Sequence, residues 1–375
     1  MGRSARRAVL YGALVGFAAV AVREAVRPRG DSVTLVDWGR VHDIAESRLR
    51  SSGEKTRDLP AARAEYRRLA AELAPPLLAF VGGLPRGAVL PAFEALDHQG
   101  WLDLNLSIIR RMVDPAIATS RVPDSLATQL GRAGVDRYIG YTLGLVGRRV
   151  LGQYDPRLLG GEASAASGLY LVEPNVEAWR LRAGLPQQDL RRWLILHELT
   201  HAWQFAAHPW LRAHMERALQ TLLDSVAPTS NSLARLAAFA GVLPAQWRVL
   251  REVQAAMSVI EGYSNLVMNQ LGAELLPGFH RLEQAYLERS SGTNPLDTLI
   301  WKLTGLDLKL QQYRNGEAFC RAVFDRHGID TLNLVWTGPG SLPDLRELGD
   351  PDAWQRRVSR PPAASRGALP APSPR

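Results

Sequence analysis

Trp193-Leu194-Ile195-Leu196-His197-Glu198-Leu199-Thr200-His201-Ala202-Trp203 places three ionisable groups in a stretch that is otherwise almost wholly apolar. Apolar on nearly every side, such a run reads as a buried helix, and the four-residue spacing puts His197 and His201 on one face, one turn apart. Two imidazoles so placed suit two ligands of one tetrahedral zinc ion. Neutral imidazole leaves zinc strongly Lewis acidic, and Glu198 can lean over the open coordination position as a base without ligating. Ionisable groups do not stand in a buried helix without partners. The opposing reading is two core histidines bonded to neighbours beside a paired glutamate, and a string this short also recurs by chance.

A third ligand has to come from elsewhere. The extended metzincin pattern needs Gly at 204 and His at 207, where this chain has Gln204 and Ala207, so that subclass is excluded; His208 is off register. The better candidate is Glu261, the single charge in the apolar run Met257 to Met268. Gln254, Ser258, Glu261, Asn265 and Asn269 form one stripe at helical spacing. A buried carboxylate needs a cation, and either zinc or a buried arginine would serve. Gly262 in mid-helix costs about 1 kcal/mol against Ala, which suggests a close helix approach. Tyr263 has two open roles: a phenol that stabilises an oxyanion at the site, or a packing tyrosine.

Around these helices the pattern is mainly α. Val41 to Ala74 is largely helical, and Pro75-Pro76 is expected to stop that helix. Helices punctuated by glycine and proline continue to Val150. Ser167 to Val176, rich in β-formers and bounded by Gly and Pro, is the best strand candidate and is expected to be an edge strand beside the site. Pro186 stands where the motif helix would start, and further helices are expected over Trp210 to Val226, Pro244 to Leu271 and Phe279 to Arg326, the last broken by a turn at Ser290 to Pro295. The expected organisation is an N-terminal hydrophobic segment (1–32), an α+β domain (33–358) with a helical N-terminal lobe, two lobes being open with a split near 150–185, and a disordered Pro/Ala/Ser/Arg tail (359–375).

The 375 residues are 46% apolar with ten tryptophans, ample for a packed interior. The formal charge of +8 comes largely from dispersed arginines, and no nucleic-acid motif is present. Cys320 is the single cysteine, which rules out an intrachain disulfide and a cysteine metal cluster. The uncharged run Ala8 to Val22 falls short of the roughly 20 residues a spanning helix needs, and arginines flank it on both sides. It fits a membrane anchor or a helix of the fold better than a cleaved signal, so the expected location is cytoplasmic or membrane-associated.

Ordered landmarks extend the case beyond the motif. They are Leu35-Val36-Asp37-Trp38-Gly39, Leu151 to Pro156, Val172 to Val176, the motif with Gln204-Phe205 and Pro209 to Arg212, Glu261-Gly262 with Val267-Met268, Gln312 to Cys320, and Leu342-Pro343 through Trp354. In these the chain resembles an actinobacterial zincin-like family of hydrolases of unknown function, one branch of which is associated with biosynthesis of a deazaflavin coenzyme. The resemblance covers about residues 33 to 358. It implies a mostly helical zincin-like metallohydrolase fold with a small β element beside the motif helix, zinc held by His197, His201 and Glu261, and Glu198 as base. The chain departs from the family pattern at Tyr263, where His is frequent, and at Asn269, where Asp is frequent. The second change removes a carboxylate that would orient a ligand.

The expectation is therefore a zinc hydrolase acting on a peptide or small amide substrate, with Glu198 and Tyr263 as its catalytic groups. The alternative from another class is a metal-stabilised accessory protein linked to deazaflavin-coenzyme metabolism.

Overall fold

A computed structural model of the chain describes residues 32–33, 36–50, 58–117, 122–123, 126–155, 168–226, 232–291 and 306–359. The N-terminal hydrophobic run and the tail from residue 360 lie outside the described residues. No described helix is long and apolar enough to cross a membrane.

The order is α1 (Trp38–Leu49), α2 (Leu59–Val81), β1 (Phe93–Leu96), α3 (His98–Ile117), α4 (Leu126–Gly147), β2 (Gly152–Asp155), β3 (Gly168–Val172), α5 (Glu173–Ala183) and α6 (Gln187–Ala207). Then follow α7 (Pro209–Val226), α8 (Ser232–Leu275), α9 (Phe279–Ser291), α10 (Leu306–Leu332) and α11 (Pro351–Val358). The fold is mostly helical with one small three-stranded sheet, as expected for an α+β chain.

Pro75 and Pro76 do not end α2, which runs on to Val81. Its buried stripe Ala62, Tyr66, Leu69, Leu73, Leu77 and Val81 holds its spacing straight through the prolines. Burying Leu77 and Val81 offsets the two hydrogen bonds that the prolines cannot donate. Gly82, left-handed at φ 98°, ends the helix instead.

The strand expected over 167–176 exists as β3 and stops at Val172, because Pro174 in the first turn of α5 suits a helix start. Its place in the sheet differs from the expectation. β3 is central, pairing in parallel with β1 (Phe93 opposite Leu169) and antiparallel with β2 (Gly152 opposite Leu171). With both ladders occupied it cannot be the free edge beside the site. Among the described residues that edge belongs to β2, which packs on α6.

Two apolar clusters carry the fold. The larger joins α2, the sheet and α5 through α11, and α6 runs through its middle with Leu190, Leu194, Ile195, Leu196, Leu199 and Trp203 buried. The smaller gathers Val41, Ala45, Leu49, Trp101, Leu102 and Leu143 from α1, α3 and α4, closed by Val172.

Candidate metal centre

α6 and α8 pack against each other, and their facing residues form the site. The Nε2 atoms of His197 and His201 lie 3.2 Å apart. One carboxylate oxygen of Glu261 is 3.5 Å from His201 Nε2 and 3.9 Å from His197 Nε2. The ligating atoms of the three residues all fall within 4.8 Å of one another. Two imidazole nitrogens on one tetrahedral zinc stand roughly 3.3 Å apart, so the spacing fits that ion without rearrangement. The trio keeps an opening to solvent: the side chains of His197, His201 and Glu261 are 18%, 11% and 18% exposed.

Each imidazole is fixed from behind or beside. His201 Nδ1 is 3.0 Å from Gln204 Oε1 and 3.2 Å from Ser264 Oγ. A proton on Nδ1 satisfies Gln204 and leaves the Nε2 lone pair facing Glu261, the tautomer a ligand requires. Gln204 in turn donates through Nε2 to the Ile260 carbonyl at 2.8 Å, tying α6 to α8 next to Glu261. His197 lies parallel to the Trp193 ring at 6.2 Å, and its Nδ1 is buried with no partner among the described residues.

The electrostatics follow from burial and from Glu261. Burial, aided by charge on His201, brings His197 down to about 4. Burial opposes charge on His201 too, but the Glu261 carboxylate, the Gln204 bond and Glu198 outweigh it and lift the group to about 9. Glu198 rises to about 7 through burial and the neighbouring Glu261, with His201 opposing. Its carboxylate lies against strand β2, where a Cβ on Gly152 would fall 2.5 Å from Oε1. A carboxyl poised near neutrality beside the trio is equipped to take and return a proton.

Tyr263 is not brought to this group. It is fully buried, stacked on Trp203 at 5.5 Å with the edge of Trp336 at 5.3 Å, and its hydroxyl donates to Asn333 Oδ1 at 2.7 Å. The geometry favours the packing role over the oxyanion role. Two positions on, Asn265 explains more than its sequence suggested: Asn265 and Asn269 each donate to an oxygen of Glu317, both at 3.3 Å. An amide at 269 can serve that carboxylate, whereas an aspartate there would repel it. Glu317 is carried in by the crossing of α10 over α8, where a Cβ on Gly316 would sit 1.9 Å from the Ser258 carbonyl oxygen. The close approach expected at Gly262 is this crossing.

Tyr286 of α9 is a site-lining residue that the sequence did not disclose. Its ring packs at 5.1 Å on Trp193, it is 36% exposed, and burial together with Glu261 and Glu317 pushes its phenol up to about 12. An exposed tyrosine on an amphipathic helix gives no periodicity signal. Gln204 was the more findable residue, since its place at i+3 from His201 marks it as a partner on the same face.

Known proteins match this chain at two levels. The model of a family described as zincin-like metallopeptidase matches residues 36–355. A crystal structure from Chloroflexus aurantiacus, described as that of a candidate hydrolase with a novel fold, superposes with a TM-score of 0.68 at 33% sequence identity. The match covers 87% of this chain and all of that one. No curated protein matches.

Proposed function

Since the chain belongs to the zincin-like metallopeptidase family, we propose that it is a zinc-dependent hydrolase of a peptide or other amide bond. His197, His201 and Glu261 would hold the metal, with Glu198 as general base. The observation that carries this reading is the convergence of two imidazole nitrogens and one carboxylate, from two helices, within 4.8 Å. A bound zinc ion would supply Lewis acidity toward a substrate carbonyl and toward water.

The chain's own groups do the rest. Gln204 and Ser264 keep His201 in the ligating tautomer, and Trp193 and the surrounding core limit water around His197. Glu198 accepts the proton of the attacking water at its carboxylate and passes it to the departing amine. The absence of an acidic residue at 269 does not disable the site, because the bonds that orient His201 come from α6 and from Ser264.

Metal analysis after zinc-replete expression tests the first half: about one zinc per chain is expected, and none in a His197→Ala variant. Zinc content no higher in the unmutated protein than in that variant would overturn the reading. Glu198→Gln tests the second half. It should keep the metal while losing hydrolysis of a peptide library by roughly 10²-fold or more. Unchanged turnover with metal retained would remove Glu198 as the base, and no hydrolysis by the metal-loaded unmutated protein would leave a metal-stabilised binding protein as the better account.

A further inference from the structure

The trio and Glu198 account for the metal and the base, but the flank of the site carries cations that neither uses. α9 presents Tyr286 and Arg289 one turn apart. Tyr286 packs on Trp193, and Trp193 lies parallel to His197. Arg289 donates through Nη2 to the Arg149 carbonyl at 2.5 Å, and its guanidinium sits 5.0 Å over the Trp179 ring. Trp179 itself meets Trp193 edge-on at 6.2 Å. Arg182 follows Trp179 by one turn of α5, so it faces the same corner.

These contacts gather Arg149, Arg182 and Arg289 at the far end of an aromatic wall that begins at a metal ligand. Burial and the two neighbouring cations bring Arg289 down to about 10. Neither Arg182 nor Arg289 has a carboxylate at ion-pair distance among the described residues. A half-buried guanidinium held beside like charges is unfavourable unless an anion completes the arrangement. Its planar fork matches a carboxylate or a phosphate.

We propose that Arg289 and Arg182 bind an anionic group of the substrate, with Tyr286 and Trp193 lining the span between that group and the bond at the metal centre. This rests on the hydrolase reading of the trio. It narrows the substrate class to molecules that carry a carboxylate or phosphate a few residue lengths from the scissile amide, since each extended residue spans about 3.3–3.6 Å. The field supports one orientation only: cations at the Arg289 end, and the carboxylates of Glu261 and Glu317 at the other.

The test uses full-length protein loaded with cobalt, whose visible absorption reports both metal occupancy and ligand binding. The probes are tripeptide hydroxamates identical except for a C-terminal carboxylate, phosphonate or carboxamide. A charged probe should bind about tenfold or more tighter than the carboxamide. Arg182→Gln, an exposed side chain, should reduce that preference, and Arg182→Gln with Arg289→Gln should remove it. Preference for phosphonate alone assigns a phosphate, and preference for carboxylate assigns a carboxylate. Equal affinities in the unmutated protein, or a preference that survives the double variant, would overturn the proposal. A protein that shows no cobalt absorption would instead overturn the metal reading. The anion site is then decided by inorganic phosphate: quenching of tryptophan fluorescence in the metal-free protein that Arg182→Gln abolishes upholds it, and no quenching overturns it.

Discussion

Gly152 faces Glu198 at a distance that leaves no room for a side chain, with the position of a Cβ only 2.5 Å from the carboxylate oxygen. Gly152→Ala should therefore turn the Glu198 carboxyl away from the trio. We expect hydrolysis to fall by up to about 10²-fold, the scale of a misplacement of about 1 Å, while metal content stays that of the unmutated protein. Loss of the metal along with activity would place Gly152 in the ligand frame instead. His208, which ends α6, is held between Trp203 and Trp336 with no partner for Nε2 among the described residues, and burial brings it down to about 4. The unfolded chain protonates this group near 6.5 and the folded protein only near 4, so the unfolded state binds more protons in between. Its contribution is complete above pH 6.5 and is lost as the pH falls toward 4. Denaturant titrations at pH 7 and pH 5 should show a smaller acid loss for His208→Phe than for the unmutated protein; equal losses would refute the assignment. At this scale His197, Glu198, His201 and Glu261 were legible because charges in apolar helices demand partners. Tyr286 and Gly152 were not, because exposure and the lack of a side chain leave nothing for periodicity to register.

α6 is seated by a charge cluster buried within the apolar interior. Arg191, 1% exposed, pairs with Glu65 of α2 and lies 3.3 Å from Glu173, also 1% exposed, at the start of α5. Removing the cation leaves Glu173 buried without it, so Arg191→Met should destabilise the fold by about 3–5 kcal/mol. Adding Glu173→Leu should recover much of that loss in the same denaturation assay, and a double variant no more stable than the single one would argue against burial of the charge as the cause. The α8–α10 crossing sets a second constraint. In Gly316→Ala the new Cβ meets the Ser258 backbone rather than a flexible side chain, so relief requires the helices to part, at a cost of about 1–3 kcal/mol. The long helices could be anticipated from their stripes, but β1 could not. Four residues are too few to carry a period, and its parallel partner β3 lies more than seventy positions along the chain, where no local pattern points. The continuation of α2 through two prolines was hidden for a related reason, because tertiary burial of Leu77 and Val81 overrode a local rule.

Across the whole molecule, the two helices that carry the trio, α6 and α8, meet inside the larger core. A metal bound by His197 and His201 of α6 and Glu261 of α8 therefore closes a contact that unfolding must break. A ligand that binds only the folded state stabilises it by RT ln(1 + [L]/Kd), about 4 kcal/mol at a thousandfold excess over Kd. Zinc should accordingly raise the midpoint of thermal or denaturant unfolding, and a chelator should return it to the metal-free value. Without the metal, Glu261 and the raised His201 already attract each other, so Glu261→Ala should lower the metal-free stability as well as abolish the zinc response. Glu198→Gln should leave the zinc response intact, because that residue stands beside the proposed ligands rather than among them. The comparison separates cross-linking of α6 to α8 from a general effect of zinc on a protein of this composition. If Glu261→Ala responds to zinc as strongly as the unmutated chain, the metal does not join the two helices, and the third ligand has to be sought elsewhere.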